Sequence, residues 1–367
     1  MADAASVVTV LDACGRAGVP ALLLSGPGMG KSSLIEALAA AQDVLCEVVV
    51  GSLREPSDFA GLPVIANDGV SLEAPSWAKR LKHAGKGVLF LDELTTSTPA
   101  VQAAMLMVTL KRRVGDLQLP SGIQVVAGAN PPDQAAGGYE LDPPLANRFC
   151  HIEFTPSKQE WIDGMITGWR AVPASRAGAV SADSIASAVA SVTGFIQTRP
   201  DLLDAYPRTT AAAGGAWPSR RTWDMLARVL AHLRADDTAA ITTAVFGLVG
   251  EGAGVEFVSW LAACDLPDPA AVVADPSIVD WGAERPDRVW AILSGVVALA
   301  AQNGSQDAFA RAWKPLAAAA GTCGVDVAAA AARTLAKARP AKAKIPAAAR
   351  AFVPILRAAG LIDEAVA

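Results

Sequence analysis

Five short, almost continuously apolar runs punctuate the first 155 residues: Ala21–Gly26, Cys46–Gly51, Gly87–Glu93, Gln124–Asn130 and Cys150–Phe154. Runs of this kind suit strands covered on both faces. Between them the apolar positions take helical spacing, as in Ser33–Ala41, so strand and helix alternate and predict an α/β fold around five parallel strands. After Phe154 the strand pattern fades. Helical periods cover Ser157–Trp169, Ala182–Gln197, Arg220–Arg234 and Ala239–Val249, with Pro- and Gly-rich joints. The stretch Leu266-Pro-Asp-Pro269 then precedes alanine-rich helices through Leu361, interrupted near Pro340 by Lys337, Arg339, Lys342 and Lys344. The expected organisation is an α/β domain over 1–155, a helical domain over 156–265 and a helical extension over 266–367. No internal repeat is found.

Composition narrows the picture. At 367 residues the chain has ample material for more than one core. Alanine inflates the hydrophobic fraction, no stretch of about eighteen apolar residues is free of charge, and the N-terminus lacks a signal pattern. These features predict a soluble, cytoplasmic protein with no membrane association. Cys14, Cys46, Cys150, Cys264 and Cys323 lack metal or disulfide spacing and read as core residues. The net charge of −5 argues against a nucleic-acid surface as the main business of the chain, and the basic run near Pro340 reads first as a solvated linker. The nine tryptophans, Trp161, Trp169, Trp223, Trp260 and Trp290 among them, fall mostly at helical apolar positions and are expected in the core rather than as stacking platforms.

The stretch Ser25-Gly26-Pro27-Gly28-Met29-Gly30-Lys31-Ser32 joins the first strand pattern to a helix pattern, the setting of a phosphate-binding loop. Glycines let backbone N–H groups turn inward around phosphates, and the helix that follows presents its positive end. The loop from Gly26 through Pro27, Gly28, Met29, Gly30 and Lys31 to Ser32 and Ser33 is thus the expected cradle, with Lys31 on the β/γ oxygens and Ser32 on Mg²⁺. Ser25 stands where the first glycine of such loops is usual. An ordinary glycine turn is the alternative.

Sixty residues on, Val88-Leu89-Phe90-Leu91-Asp92-Glu93 delivers two carboxylates at the C-terminal end of a buried strand, where open α/β sheets bind ligands. Asp92 is the expected Mg²⁺ organiser and Glu93 the general base that polarises an attacking water.

Together these residues resemble an AAA+ ATPase. The resemblance implies an ATP and Mg²⁺ site in a P-loop core, an all-helical lid and further landmarks. Asn130 lies at the sensor 1 position, and is equally a turn residue before Pro131. Arg148, in Leu-Asp-Pro-Pro-Leu-Ala-Asn-Arg-Phe, matches an arginine finger lent to a neighbouring subunit, or is an exposed helix-end arginine. Pro218-Ser-Arg-Arg-Thr-Trp223 resembles the sensor 2 segment, with Arg221 the assigned residue and Arg220 its alternative. Within AAA+, the text Arg54-Glu-Pro-Ser-Asp-Phe-Ala-Gly-Leu-Pro63, Pro75-Ser-Trp77, Val101-Gln-Ala-Ala-Met-Leu106 and Arg113-Val-Gly-Asp116 resembles the MoxR-type branch over roughly residues 5–265. That likeness implies hairpins at Leu62–Ser71 and Arg113–Pro120 facing the pore of a homo-hexamer, and a von Willebrand factor A-type partner. It implies chaperone-like remodelling of a protein by ATP hydrolysis. A nucleotide-gated scaffold with slow hydrolysis is the alternative. A nucleic-acid motor, kept open by Lys111, Arg112 and Arg113, is disfavoured by net charge. Guanine-specific and transporter-type signatures are absent, which favours adenine nucleotide.

Overall fold

The computed structural model describes residues 3–66, 69–131, 134, 138–167 and 172–362. The chain divides into two compact units interleaved in sequence: residues 1–178 with 204–255, and residues 179–203 with 256–367.

The first unit holds the five expected strands, β1 Ala21–Leu24, β2 Leu45–Val50, β3 Lys86–Asp92, β4 Gly122–Ala129 and β5 Cys150–Glu153. All pair in parallel, in the order β2-β3-β4-β1-β5. The register decides where the chemistry emerges. Leu24 pairs with Ala129, Leu91 with Ala127 and Val50 with Asp92, so β1, β4, β3 and β2 end along one edge. The interior is apolar because the central strands β3 and β4 are buried along nearly their whole length, and Leu22, Leu89, Leu91, Ile123 and Val125 join one core with Phe59 and Trp77. Phe59 and Trp77 pack with ring centroids 6.2 Å apart.

Both expected hairpins are present. The first pairs Leu62–Ala66 with Gly69–Glu73, its turn residues 67–68 lying outside the described residues; the second pairs Arg113–Val114 with Leu117–Gln118. Asp116 stitches them together, its N–H donating to Leu72 O (2.9 Å) while its carboxylate accepts from Leu72 N–H (2.7 Å).

Helix Thr238–Cys264 is long and apolar enough, by length and composition, to cross a membrane. It is not one continuous helix. Gly250 adopts φ 76°, ψ 164° inside it, and a Cβ there would meet Ala216 O at 2.6 Å. The arms on either side are each shorter than the roughly 20 residues a span requires, Glu251 and Glu256 interrupt the apolar text, and Ala240, Ala244, Val245, Leu248 and Val249 are buried. These are features of core helices.

In the second unit, helix Ala182–Thr198 packs on helix Pro286–Asn303. Helices Gln306–Cys323 and Val325–Lys337 complete a core centred on Phe309, Trp313, Leu316 and Phe352.

The tryptophan expectation needs one correction. Trp77, Trp223, Trp281 and Trp313 are buried, and Trp260 and Trp290 partly so, but Trp161 is 52% exposed on helix Lys158–Thr167, which buries no residue. Helical periodicity set Trp161 on an apolar stripe, yet among the described residues no element buries it. Trp169 lies outside the described residues. All five cysteines are free thiols.

Candidate nucleotide site

The loop after β1 turns because Gly28 and Gly30 take φ 75° and 85°, values that L side chains rarely adopt. Nothing lies within 4 Å of a Cβ built on either, so conformation rather than space calls for glycine there. Gly30 also caps helix Lys31–Ala41 without any side-chain bond to its first N–H groups. Those donors remain free to meet an anion, at the end of the helix where the dipole favours one. Residues 27–30 are exposed, as a cradle must be.

Lys31 reaches back across the loop. Its Nζ donates to Ser25 O (2.9 Å), Ser25 Oγ (3.2 Å), Gly26 O (3.3 Å) and Asn130 Oδ1 (2.7 Å). An ammonium has no acceptor, so Asn130 presents its oxygen to Lys31 and its NH₂ group is left for another acceptor. Partial burial lowers the Lys31 pKa, opposed by the charge of Asp92.

Ser32 Oγ donates to Asp92 Oδ2 (2.7 Å), while Asp92 Oδ1 accepts the N–H of Glu93 (2.9 Å). The Asp92 carboxylate is therefore held at both oxygens. Space for it comes from Gly128 on β4, where a Cβ would lie 2.7 Å from both Asp92 Oδ1 and the Phe90 ring. Glu93 follows in the left-handed region, φ 57°, an unfavourable conformation for a non-glycine residue that turns its side chain off the strand line. Its backbone oxygen accepts from Thr96 Oγ1 and Ser97 Oγ, each at 3.0 Å. Its carboxylate is hydrogen-bonded to Ser52 Oγ, two residues beyond the end of β2. Thr95 Oγ1 donates to Asn130 O (3.4 Å), tying the ends of β3 and β4.

Three separate segments thus bring two hydrogen-bonded sets to the C-terminal edge of the sheet, Lys31 with Asn130 and Ser32 with Asp92 and the Glu93 N–H, and the Asp92 charge acts on Lys31 between them. Arg221 belongs to a further set around the buried side chain of Asn147, and Arg148 lies close enough to feel its charge. Asn147 Oδ1 accepts from Ser219 Oγ (2.8 Å) and Arg221 Nη1 (3.5 Å), and its Nδ2 donates to Trp217 O (3.3 Å). Arg148 donates to Pro144 O, and its Nε is buried without a partner among the described residues. Burial and then the like charge of Arg221 lower the Arg148 pKa, against Asp142. The two guanidiniums are close enough to repel, which suits a shared anionic target. Arg220 faces elsewhere, pairing with Asp204 at 2.7 Å. Of the two arginines, Arg221 is the one that joins Arg148.

Ser52, Thr95, Gly128 and Asn147 were not picked out from the sequence. Asn147, Gly128 and Thr95 each lie within two residues of one that was, while Ser52 carried no such signal. Ser25 was noted merely as a departure from glycine, yet its hydroxyl touches Lys31. Gln134 was also missed; its Oε1 stands where a Cβ on Gly26 would reach, at 2.7 Å.

The donor set of Ser32 and Asp92 is hard oxygen in close pairing, which fits Mg²⁺. Among the described residues no group of three or more His, Cys, Asp or Glu is arranged to hold a metal alone, as expected where phosphate and water complete the shell.

Residues 20–149 match the family described as AAA domain (dynein-related subfamily). Lys31, Ser32, Asp92, Glu93, Asn130 and Arg148 all lie within that stretch. No curated protein matches the chain. Among solved structures it is similar to that of a "putative ATPase" from Cytophaga hutchinsonii ATCC 33406, at 17% identity and a TM-score of 0.42, with 69% of this chain and 79% of that chain covered.

Proposed function

We propose that this chain is a cytoplasmic AAA+ ATPase of MoxR type that assembles into a ring, hydrolyses ATP with Mg²⁺ at subunit interfaces and remodels or assembles a protein partner, a von Willebrand factor A-type protein fitting the MoxR likeness. The carrying observation is the convergence of Lys31, Asn130, Ser32, Asp92 and Glu93 on one end of the sheet beside an uncapped helix N-terminus.

In this reading Lys31 and the loop N–H groups of Gly26 to Ser33 hold the phosphates, and Ser32 with Asp92 holds Mg²⁺, which neutralises phosphate charge when bound. Glu93, fixed by Ser52, accepts a proton from the attacking water. Asn130 keeps its oxygen on Lys31 and aims its NH₂ at the water or the terminal phosphate. Arg148, with Arg221 beside it, stabilises charge on the transferred phosphoryl group of a neighbouring subunit. The first hairpin, exposing Leu62, Ile65, Val70 and Leu72, offers an apolar surface for a client. The nucleotide-gated scaffold remains a second reading, favoured by the left-handed, Ser52-bound state of Glu93, which must release toward water before it acts as base.

Mixing Arg148→Ala with Lys31→Ala subunits tests the shared site. Each type carries the group the other lacks, so ATP turnover in the mixture should exceed that of either parent. Mixed oligomers without recovery would refute action in trans.

A further inference from the structure

Between residues 333 and 350 the chain carries Arg333, Lys337, Arg339, Lys342, Lys344 and Arg350 and no carboxylate, in a protein of net charge −5. All six side chains are exposed. They do not sit on a loose linker. Ala336, Ala343 and Ala349 between them are buried in the core of the second unit, Ala343 N–H closes a turn on Pro340 O at 3.1 Å, and Gln306 Nε2 reaches Ala341 O at 3.5 Å. The core thus fixes the stretch and presents its cations outward. Arg333 and Lys337, four residues apart on one helix, share a face. Favourable interaction with a helix C-terminus accounts for Lys337 alone.

The ion pairs of this unit join Arg199 to Asp201 and Glu256, Arg285 to Asp287, Arg288 to Glu284 and Arg311 to Asp307. None of the six cations takes part in an ion pair among the described residues. The same unit carries an opposite segment, residues 265–288, with six carboxylates against two arginines. Asp265, Asp268 and Asp280 there are exposed and outside those ion pairs. Buried Val272, Val279 and Trp281 anchor that segment too. Each copy therefore displays a fixed basic stretch and a fixed acidic stretch, and among the described residues no ion pair joins the one to the other.

We propose that residues 333–350 of one copy dock on residues 265–288 of a second copy, a head-to-tail electrostatic contact between C-terminal units. Complementary charge on two different segments makes the contact heterologous, the kind that propagates into a ring or a filament. Nucleic acid fits less well. The sole aromatic residue between 325 and 362 is Phe352, which is buried, so no ring is available to stack a base, and the net charge of the chain opposes a polyanion.

The test uses the full chain without nucleotide, so it stands apart from the nucleotide site. Sedimentation equilibrium of wild type should show self-association that weakens by about tenfold between roughly 50 mM and 300 mM salt. Lys342→Glu/Lys344→Glu should weaken it by about tenfold or more at low salt, as should Asp265→Lys/Asp280→Lys, and mixing the two variants should restore a heteromeric contact. Should the acidic-segment variant fold poorly, carbodiimide cross-linking of mixed ¹⁵N- and ¹⁴N-labelled wild type serves instead. It should yield ¹⁵N/¹⁴N mixed amides between Lys342 or Lys344 and carboxylates of 265–288. Self-association unchanged in Lys342→Glu/Lys344→Glu, or cross-links confined to single copies, would each overturn the proposal.

Discussion

Gly128→Ala puts the construction of the carboxylate site under the most specific stress. The new Cβ would stand 2.7 Å from Asp92 Oδ1 and 2.7 Å from the Phe90 ring, where favourable contact needs about 3.5 Å or more. Roughly 0.8 Å must be found. Phe90 is fully buried within the sheet and has little room to retreat, so overpacking should cost about 1–3 kcal/mol. Asp92 is only partly buried and can swing away, but doing so breaks its bonds to Ser32 Oγ and Glu93 N–H, and hydrogen bonds to a charged group contribute about 1.5–3 kcal/mol each before allowance for solvent. Thermal unfolding of the variant should therefore begin several degrees lower, at about 2–4 °C per kcal/mol for a unit of this size. Its Mg²⁺-dependent ATP affinity should drop by about tenfold or more while affinity without Mg²⁺ changes less. Calorimetric titration with and without Mg²⁺, beside a melting curve, reads both. Unchanged melting together with unchanged Mg²⁺ dependence would refute the argument that Gly128 makes room for Asp92.

Other perturbations follow from single groups. Lys31→Ala should remove nucleotide binding, a loss of about 2–3 kcal/mol or more for a charge-assisted phosphate contact, measured by ATP titration. Because burial lowers the Lys31 pKa below its ordinary 10.5, ATP affinity of wild type should begin to fall at a lower alkaline pH than an ordinary lysine would dictate. His151 is buried on β5 and its Nε2 bonds Ala146 O at 2.9 Å; burial lowers its pKa despite that bond. A depressed folded pKa means the unfolded chain binds the proton first, so stability present above about pH 6.5 should be lost as pH falls below it. Melting temperature against pH should show this loss, and His151→Gln should flatten it.

The five strands were readable because each run is nearly unbroken in apolar residues, most completely in β3 and β4, which are buried along nearly their whole length, and all five lie where those runs do. The hairpins were expected from the MoxR-type likeness, with Gly and Pro turn residues in the right places. Glu93 and Asp92 were readable because carboxylates at the end of such a run have few structural reasons to be there. Strand order was not, since nothing local in β1 states that β4 and β5 flank it. Nor was the pairing of Ala182–Thr198 with Pro286–Asn303, about a hundred residues apart, which places helical segments of different sequence regions in one compact unit. Ser52 escaped notice because a serine after a strand is ordinary; only the register Val50↔Asp92 brings it to Glu93. That Arg221 and not Arg220 lies beside Arg148 goes with the pairing of Arg220 to Asp204, whose proximity no spacing predicts.

Phosphate release from ATP by wild type and Glu93→Gln, measured beside ATP affinity, tests the central claim most directly. Glutamine retains size and can still bond Ser52 but cannot take a proton. The account predicts ATP binding close to wild type with turnover reduced by roughly 10²–10⁴. Equal turnover in the two proteins, or no Mg²⁺-dependent turnover in wild type, would contradict it.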